Sequence, residues 1–363
     1  MKSTIRVAVV GYGYWGPNLV RNLAEIPSCD LVAVADRDER RLQHFHSCYP
    51  QVTVTQDVRD LFALDLDAVV VATPPATHYP LAREALLHGM NVLVEKPLAL
   101  SGDHAEALIE IAEQSERILM VGHTFIYNPA VRALNQIIQS GELGDVHYID
   151  TARLSLGLFQ RDLNVLWDLA PHDISIIMDL LGTRPTTVWA RGTACVLSGV
   201  EDVAYVTLEF PDHILAHVHV SWLDPCKVRR ITVVGSKKMV VYDDVEAVEK
   251  VRIYDKGVEC PRYTDTFSEF QFAYRYGDVT IPYIKFTEPL RLECLHFLEC
   301  ISAGKAPQTD GQAGLNVVRV IEAAQRSLKN GGHQEEIVYD SSRRDGEQAA
   351  DVPMISIKLP TAA

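Results

Sequence analysis

The apolar run Ile5–Val10 stops at glycine and passes into a helical pattern, and the junction reads Gly11-Tyr12-Gly13-Tyr14-Trp15-Gly16. A strand, a tight glycine turn and a helix in that order commit the chain to an α/β beginning. Gly11 permits the turn, Gly13 lets the backbone approach a pyrophosphate, and Gly16 lets the helix lie close on the strand. The helix start adds unpaired N–H groups and a partial positive charge suited to phosphates. Glycine turns also occur for packing alone, so the second signal decides: Asp36 closes the next apolar run, 20 residues after Gly16. A carboxylate there suits the hydroxyls of an adenosine ribose and repels a 2′-phosphate, which favours NAD over NADP. Arg37, Arg40 and Arg41 weigh the other way, because arginine can hold that phosphate.

The rest of the first third repeats the rhythm. Strands are expected at Leu31–Ala35, Val52–Val54, Ala68–Ala72, Asn91–Val94 and Ile118–Gly122. Helices fit Tyr14–Ile26, Glu39–Cys48, Tyr79–His88 and Asp103–Ser115. Alternation of this kind makes a parallel sheet covered on both faces. After residue 125 the pattern changes to helices near 129–140 and 171–181, then strands at 188–194, 204–210, 214–220, 230–234 and 239–242. Late helices follow at 290–303 and 311–329. The expected organisation is a dinucleotide-binding domain over 1–124, an α+β domain with a large, mostly antiparallel open sheet over 125–330, and a polar tail or arm over 331–363. One face of that second sheet needs a cover, and pairing of subunits into a dimer or tetramer is the simplest.

Composition removes several classes of function. Lys and Arg number 34 against 48 Asp and Glu, a net charge of −14 with no basic block, which argues against nucleic acid or an anionic membrane. The longest apolar runs, such as Leu66–Pro75, are about half a membrane span. The N-terminus reaches the glycine loop at once and leaves no room for a signal peptide, so a cytoplasmic protein is expected. Seven cysteines without a CxxC pair, and the pairs His44/His46 and His217/His219 without a third ligand nearby, point to no disulfide framework and no metal site.

Two further segments hold chemistry. Val94-Glu95-Lys96-Pro97 ends the fifth strand, and ligands of open parallel sheets sit beyond such ends. In Trp167-Asp168-Leu169-Ala170-Pro171-His172, the proline suits a first helical turn, which would place Asp168 and His172 one turn apart at the helix start. The helix terminus and the carboxylate act oppositely on the imidazole, leaving a neutral, oriented base. The plainer alternative is Asp168 as an N-cap and His172 as a helix-end residue.

Taken with Ala72-Thr73-Pro74-Pro75 and His78, these segments resemble the Gfo/Idh/MocA oxidoreductases (glucose–fructose oxidoreductase, inositol 2-dehydrogenase and their relatives). The resemblance extends through Glu293–Phe297 to Ala323. It implies a nicotinamide-dependent enzyme acting on a sugar or cyclitol, with Lys96 and His172 catalytic and Asp168 beside the histidine. It implies a cofactor held by Gly11, Gly13, Tyr14, Trp15, Gly16, Asp36, Arg37, Thr73, Pro74, His78, Glu95 and Lys96. Around Tyr14-Trp15 and Asn164–Asp173 the chain is most similar to members acting at position 3 of nucleotide-linked hexoses. Lys96, Tyr127, Arg153, Asn164, Asp168 and His172 are then the expected substrate contacts, with Asn128 and Arg161 as further candidates. Inositol or another cyclitol, a hexose phosphate, and a non-catalytic cofactor-binding sensor remain alternatives.

Overall fold

The computed structural model describes residues 4–259 and 272–339; Cys260 and the tail from residue 340 lie outside the described residues. The first sheet comprises β1 (Ile5–Val10), β2 (Cys29–Ala35), β3 (Thr53–Thr55), β4 (Ala68–Val71), β5 (Asn91–Glu95) and β6 (Leu119–Gly122). All neighbours are parallel, in the order β3-β2-β1-β4-β5-β6. The crossovers carry α1 (Gly16–Ala24), α2 (Glu39–Cys48), α3 (His78–Leu87) and α4 (Gly102–Gln114). Strand β4, Ala-Val-Val-Val, is buried along its whole length, as a central strand covered on both faces must be. Strand order reverses between β1 and β4, which opens a crevice at their carboxyl ends.

The second sheet has nine strands in the order β14-β13-β12-β11-β7-β10-β9-β8-β15. They are β7 (Val146–Leu154), β8 (Thr187–Thr193), β9 (Val203–Glu209), β10 (Leu215–Ser221), β11 (Val228–Gly235), β12 (Met239–Asp243), β13 (Val251–Glu259), β14 (Ala273–Thr280) and β15 (Glu335–Glu336). The sheet is antiparallel except where β10 runs parallel to β7. Alternate residues of its strands, among them Ile149, Val206, Val218, Ile231 and Val233, are buried on one face. Helices α6 (Val165–Leu181) and α8 (Gly311–Lys329) cover that face. The opposite face exposes Tyr148, Tyr205 and Leu215, and Tyr205 stacks on His219 at 4.2 Å.

Helix α5 (Pro129–Gln139) follows the first sheet, and α7 (Pro289–Ala303) and α8 return to it late in the chain. Helix α7 packs on α1, and α8 on α4 and β6. Arg319 of α8 is 2% exposed and bonds Asp103 at 3.3 Å, Glu106 at 2.5 Å and Glu322 at 3.2 Å. The closing helices therefore serve both sheets.

Three local expectations change. Helix α6 starts at Val165, capped by the Asn164 side chain on Trp167 N at 3.2 Å, so Pro171 lies inside the helix rather than in its first turn. Strands β7, β13 and β14 are additional. Strand β7 reads polar (His147, Asp150, Arg153) because one face is open and the other buries a charge. The first tail residues are packed, not loose: β15 pairs with β8, and the Tyr339 hydroxyl donates to Pro185 O at 2.9 Å.

Candidate active site

The glycine loop forms one wall of a groove. Gly11 has φ +99°, and a Cβ there would strike the Ala72 carbonyl; a Cβ on Gly16 would strike the carbonyl of Gly11. Gly13 differs, since its Cβ would project into open groove, 3.6 Å from Arg41 Nη1. No side chain caps the start of α1, and its N-terminal end, with Tyr14 and Trp15, borders the groove. At the far end the Asp36 carboxylate accepts Tyr12 N at 2.7 Å and Asp38 N at 2.8 Å, with Arg41 at 3.5 Å. The groove holds about 1260 Å³ and is also lined by Arg37, Arg59, Thr73 and Pro74. These residues fit a dinucleotide: a backbone cradle for phosphates and a fixed carboxylate for a ribose. Arg59, paired with Asp57, is an addition that its sequence position did not signal.

A second cavity of about 640 Å³ continues from this groove, sharing Tyr14, Trp15, Ala72 and Thr73 with it. It lies between the sheets and is lined by Glu95, Lys96, Asp168 and His172. Lys96 Nζ donates to the Asp168 carbonyl at 2.6 Å and to its Oδ1 at 3.4 Å. The other Asp168 oxygen accepts Trp222 Nε1 at 2.9 Å. Asp168 is thus a partner of Lys96 and Trp222; its expected role beside His172 is not what the side chain does. His172 instead packs edge-on against Phe125 at 5.0 Å, and its Nδ1 is buried with no hydrogen-bond partner among the described residues. Burial, then the charges of Lys96 and Arg153, hold its pKa well below the ordinary histidine value. The neutrality expected of His172 is therefore present, with burial and cations as its cause rather than the helix terminus.

Five other expected contacts sit elsewhere. Arg153 is 5% exposed and forms a two-pronged pair with Asp173, at 2.7 and 3.1 Å, against the Phe125 ring. A guanidinium so enclosed has no face left for a substrate. Tyr127 is fully buried, its hydroxyl 3.1 Å from Thr309 Oγ1. Asn164 caps α6 and bonds Glu201 at 2.7 Å and Gln325 at 2.8 Å. His78 is buried between Thr73 O at 2.8 Å and Pro97 O at 2.7 Å, bracing the two loops rather than facing the groove. Arg161 is exposed and outside the cavity lining.

Besides Lys96 the cavity presents a second cation, Arg229, on the inward parity of β11 with Ile231 and Val233 and paired with Asp244 at 3.3 Å. Asn128 also lines it, donating to the Tyr242 hydroxyl at 3.2 Å and to Asp244 at 3.4 Å. Strand parity at 229, 231 and 233 was the available signal for Arg229. Asp244 had none, because it follows the strand. Among the described residues no cluster of His, Cys, Asp or Glu is arranged to hold a metal.

A parallel dinucleotide-binding sheet joined to a large open sheet, with a polar cavity where they meet, defines a class of two-domain oxidoreductases. Residues 5–123 match the model of an oxidoreductase family with an NAD-binding Rossmann fold, and residues 131–241 match the GFO/IDH/MocA C-terminal domain. The chain belongs to the Gfo/Idh/MocA family of nicotinamide-dependent oxidoreductases. It is similar to a UDP-N-acetylglucosamine 3-dehydrogenase of Acidithiobacillus ferrooxidans, 29% identical over 56% of this chain and 63% of that one. It is 27% identical to an NAD+-dependent scyllo-inositol 2-dehydrogenase of Bacillus subtilis, over 91% of this chain and 96% of that one. Its fold matches GenD2 from gentamicin A biosynthesis, solved in complex with NAD, with a TM-score of 0.78 and 27% identity over 93% of this chain and 97% of that one.

Proposed function

We propose that the chain moves hydride between NAD and the 3-position of a nucleotide-linked hexose. The carrying observation is the meeting of an uncharged His172 with Lys96 in a cavity continuous with the dinucleotide groove. In oxidation the His172 imidazole takes the hydroxyl proton, and in reduction it returns it. Lys96 Nζ faces the charge that develops on the reacting oxygen, held in place by Asp168, which Trp222 fixes in turn. The bound cofactor supplies the hydride acceptor or donor. Asp36 supports NAD as that cofactor. Likeness to the UDP-N-acetylglucosamine 3-dehydrogenase supports the nucleotide sugar, with Arg229 as the contact for its charge.

A cyclitol substrate is the second reading, favoured by the full-length likeness to the inositol dehydrogenase. Thermal shifts with NAD present, read against UDP- and dTDP-sugars, inositol and glucose 6-phosphate, rank the two. A shift for inositol and none for any nucleotide sugar overturns the first. Absorbance at 340 nm across the same panel separates an enzyme from a cofactor-binding sensor. We further propose that the open face around Tyr148, Tyr205 and Leu215 pairs with a second copy; a scattering curve of a compact monomer would refute that.

A further inference from the structure

The cavity that holds Lys96 and His172 opens at its rim onto an aromatic ring. Phe286 lines the cavity yet is 68% exposed, whereas the Lys96 side chain is 18% exposed. The ring belongs to the connection between β14 and α7, which is fastened on either side of it. Two residues before, Ile284 packs against the core. Two residues after, Glu288 accepts Arg21 Nη2 at 2.5 Å and Asn22 Nδ2 at 3.1 Å, both from α1. Its neighbours thus hold the ring at the rim, where burial does not draw it in. Phe286 lines the cavity and not the dinucleotide groove. Two carboxamides border the same cavity, Asn18 in the first turn of α1 and Gln160 in the segment after β7. Asn22 bonds the Asn18 backbone carbonyl at 3.0 Å as well as Glu288, which sets Asn18 beside the fastened end of the Phe286 connection. Neither side-chain amide has a hydrogen-bond partner among the described residues.

We propose that Phe286 is the platform on which the base of a nucleotide-linked substrate stacks, with the Asn18 and Gln160 carboxamides bonding to the base edge. This rests on the nucleotide-linked reading given above. The reacting hydroxyl lies at the deep end, against Lys96 and His172, so the far end of the substrate reaches the rim. A cyclitol or a hexose phosphate has its one ring at the deep end and brings nothing planar to the rim. A nucleotide-linked hexose ends in a base, whose π-face stacks on an aromatic side chain whatever the base. Base edges carry donors and acceptors side by side, and a carboxamide offers one of each in the same spacing. Phe286 is a specificity residue in this scheme, remote from the proton and the hydride.

The test is a pair of titrations on the full chain saturated with NADH, under which no hydride moves because both ligands are already alcohols. One ligand is UDP-N-acetylglucosamine, or dTDP-glucose where that binds more tightly. The other is the matching sugar 1-phosphate, which keeps the hexose and its first phosphate and lacks the nucleoside. Phe286→Ala is expected to weaken the nucleotide sugar about tenfold, the usual worth of one stacked base, and to leave the sugar 1-phosphate and NADH constants unchanged. Phe286→Tyr keeps the ring and is expected to keep the affinity. Saturation-transfer NMR on the unaltered protein gives an answer independent of any variant, with the strongest transfer expected on the base protons. An unchanged constant in Phe286→Ala, equal weakening of both ligands, a weakened NADH constant, or transfer confined to the sugar protons overturns the proposal and leaves the nucleotide-linked reading standing. Failure of the unaltered protein to bind any UDP- or dTDP-sugar overturns both.

Discussion

Arg153 and Arg229 lie close to the same phenylalanine, at 4.4 and 5.7 Å from the Phe125 ring, yet their chemistry differs completely. Arg153 is enclosed with Asp173, so its charge stabilises only while that partner is present. Arg153→Met should cost about 3–5 kcal/mol in denaturant unfolding, because it strands a buried carboxylate. Arg229→Met should leave stability nearly unchanged and raise KM for a charged substrate, and equal unfolding losses in both variants would contradict the distinction. His172→Ala and Lys96→Met should each lower turnover by about 10²–10⁴-fold with cofactor binding kept. Near-normal rates in both would reduce the constellation to packing. Asp36→Ala should erode the preference for NADH over NADPH in parallel titrations, since the repelling carboxylate is gone. A wild type that already prefers NADPH would show that Arg37, Arg41 and Arg59 dominate.

Loops are held in register here by side chains from helices. His78 opens α3 and reaches back to the carbonyls that follow β4 and β5. His78→Ala removes the single N–H that a neutral imidazole can give to one of these carbonyls, at about 1–3 kcal/mol. The variant should also weaken cofactor binding, because Thr73 and Pro97 lose a common brace. A melting curve paired with a cofactor titration checks this, and a stability loss with unchanged affinity would confine His78 to packing. Helix α6 shows why the element-level expectation slipped. Proline at a first turn and proline within a helix look alike in sequence, and the difference lies in Asn164, whose side chain caps the helix earlier than a proline start requires. The parallel pairing of β7 with β10 was equally hidden, since hairpin signals report only neighbours.

For the whole molecule, acid and base act on stability in opposite directions. Burial lowers the pKa of His78, His123 and His172 from the ordinary 6.5, His123 to about 4. The unfolded chain takes up protons below about pH 6.5 that the folded chain refuses, so these groups subtract stability as pH falls. Glu95 and Glu293 have raised values and keep protons that the unfolded chain releases above about pH 4.5, so their contribution falls as pH rises. The two trends blunt each other between about pH 4.5 and 6.5. His123→Asn isolates one of them: relative to wild type it should gain up to about 3 kcal/mol as pH drops from about 6.5 to about 4. Above about pH 7 the difference should be constant, and a difference that ignores pH altogether would show that His123 titrates normally.

The strand–glycine turn–helix opening, the parallel pairing of the first sheet and Asp36 at its strand end followed from sequence alone. Each depends on residues close together in the chain or on a repeated local period, and short-range sterics and hydrophobic burial suffice to specify them. The second sheet's architecture was readable as a class, though not its parallel pair. Which charge meets which was not readable at all. Lys96 finds Asp168 across 72 positions, and Arg153 finds Asp173 across 20. A charge acts on whatever lies within a few ångströms, scaled by how much water has been excluded. Only the packed tertiary structure sets both quantities, so it alone decided that Arg153 is sealed, Arg229 is open and His172 stays uncharged.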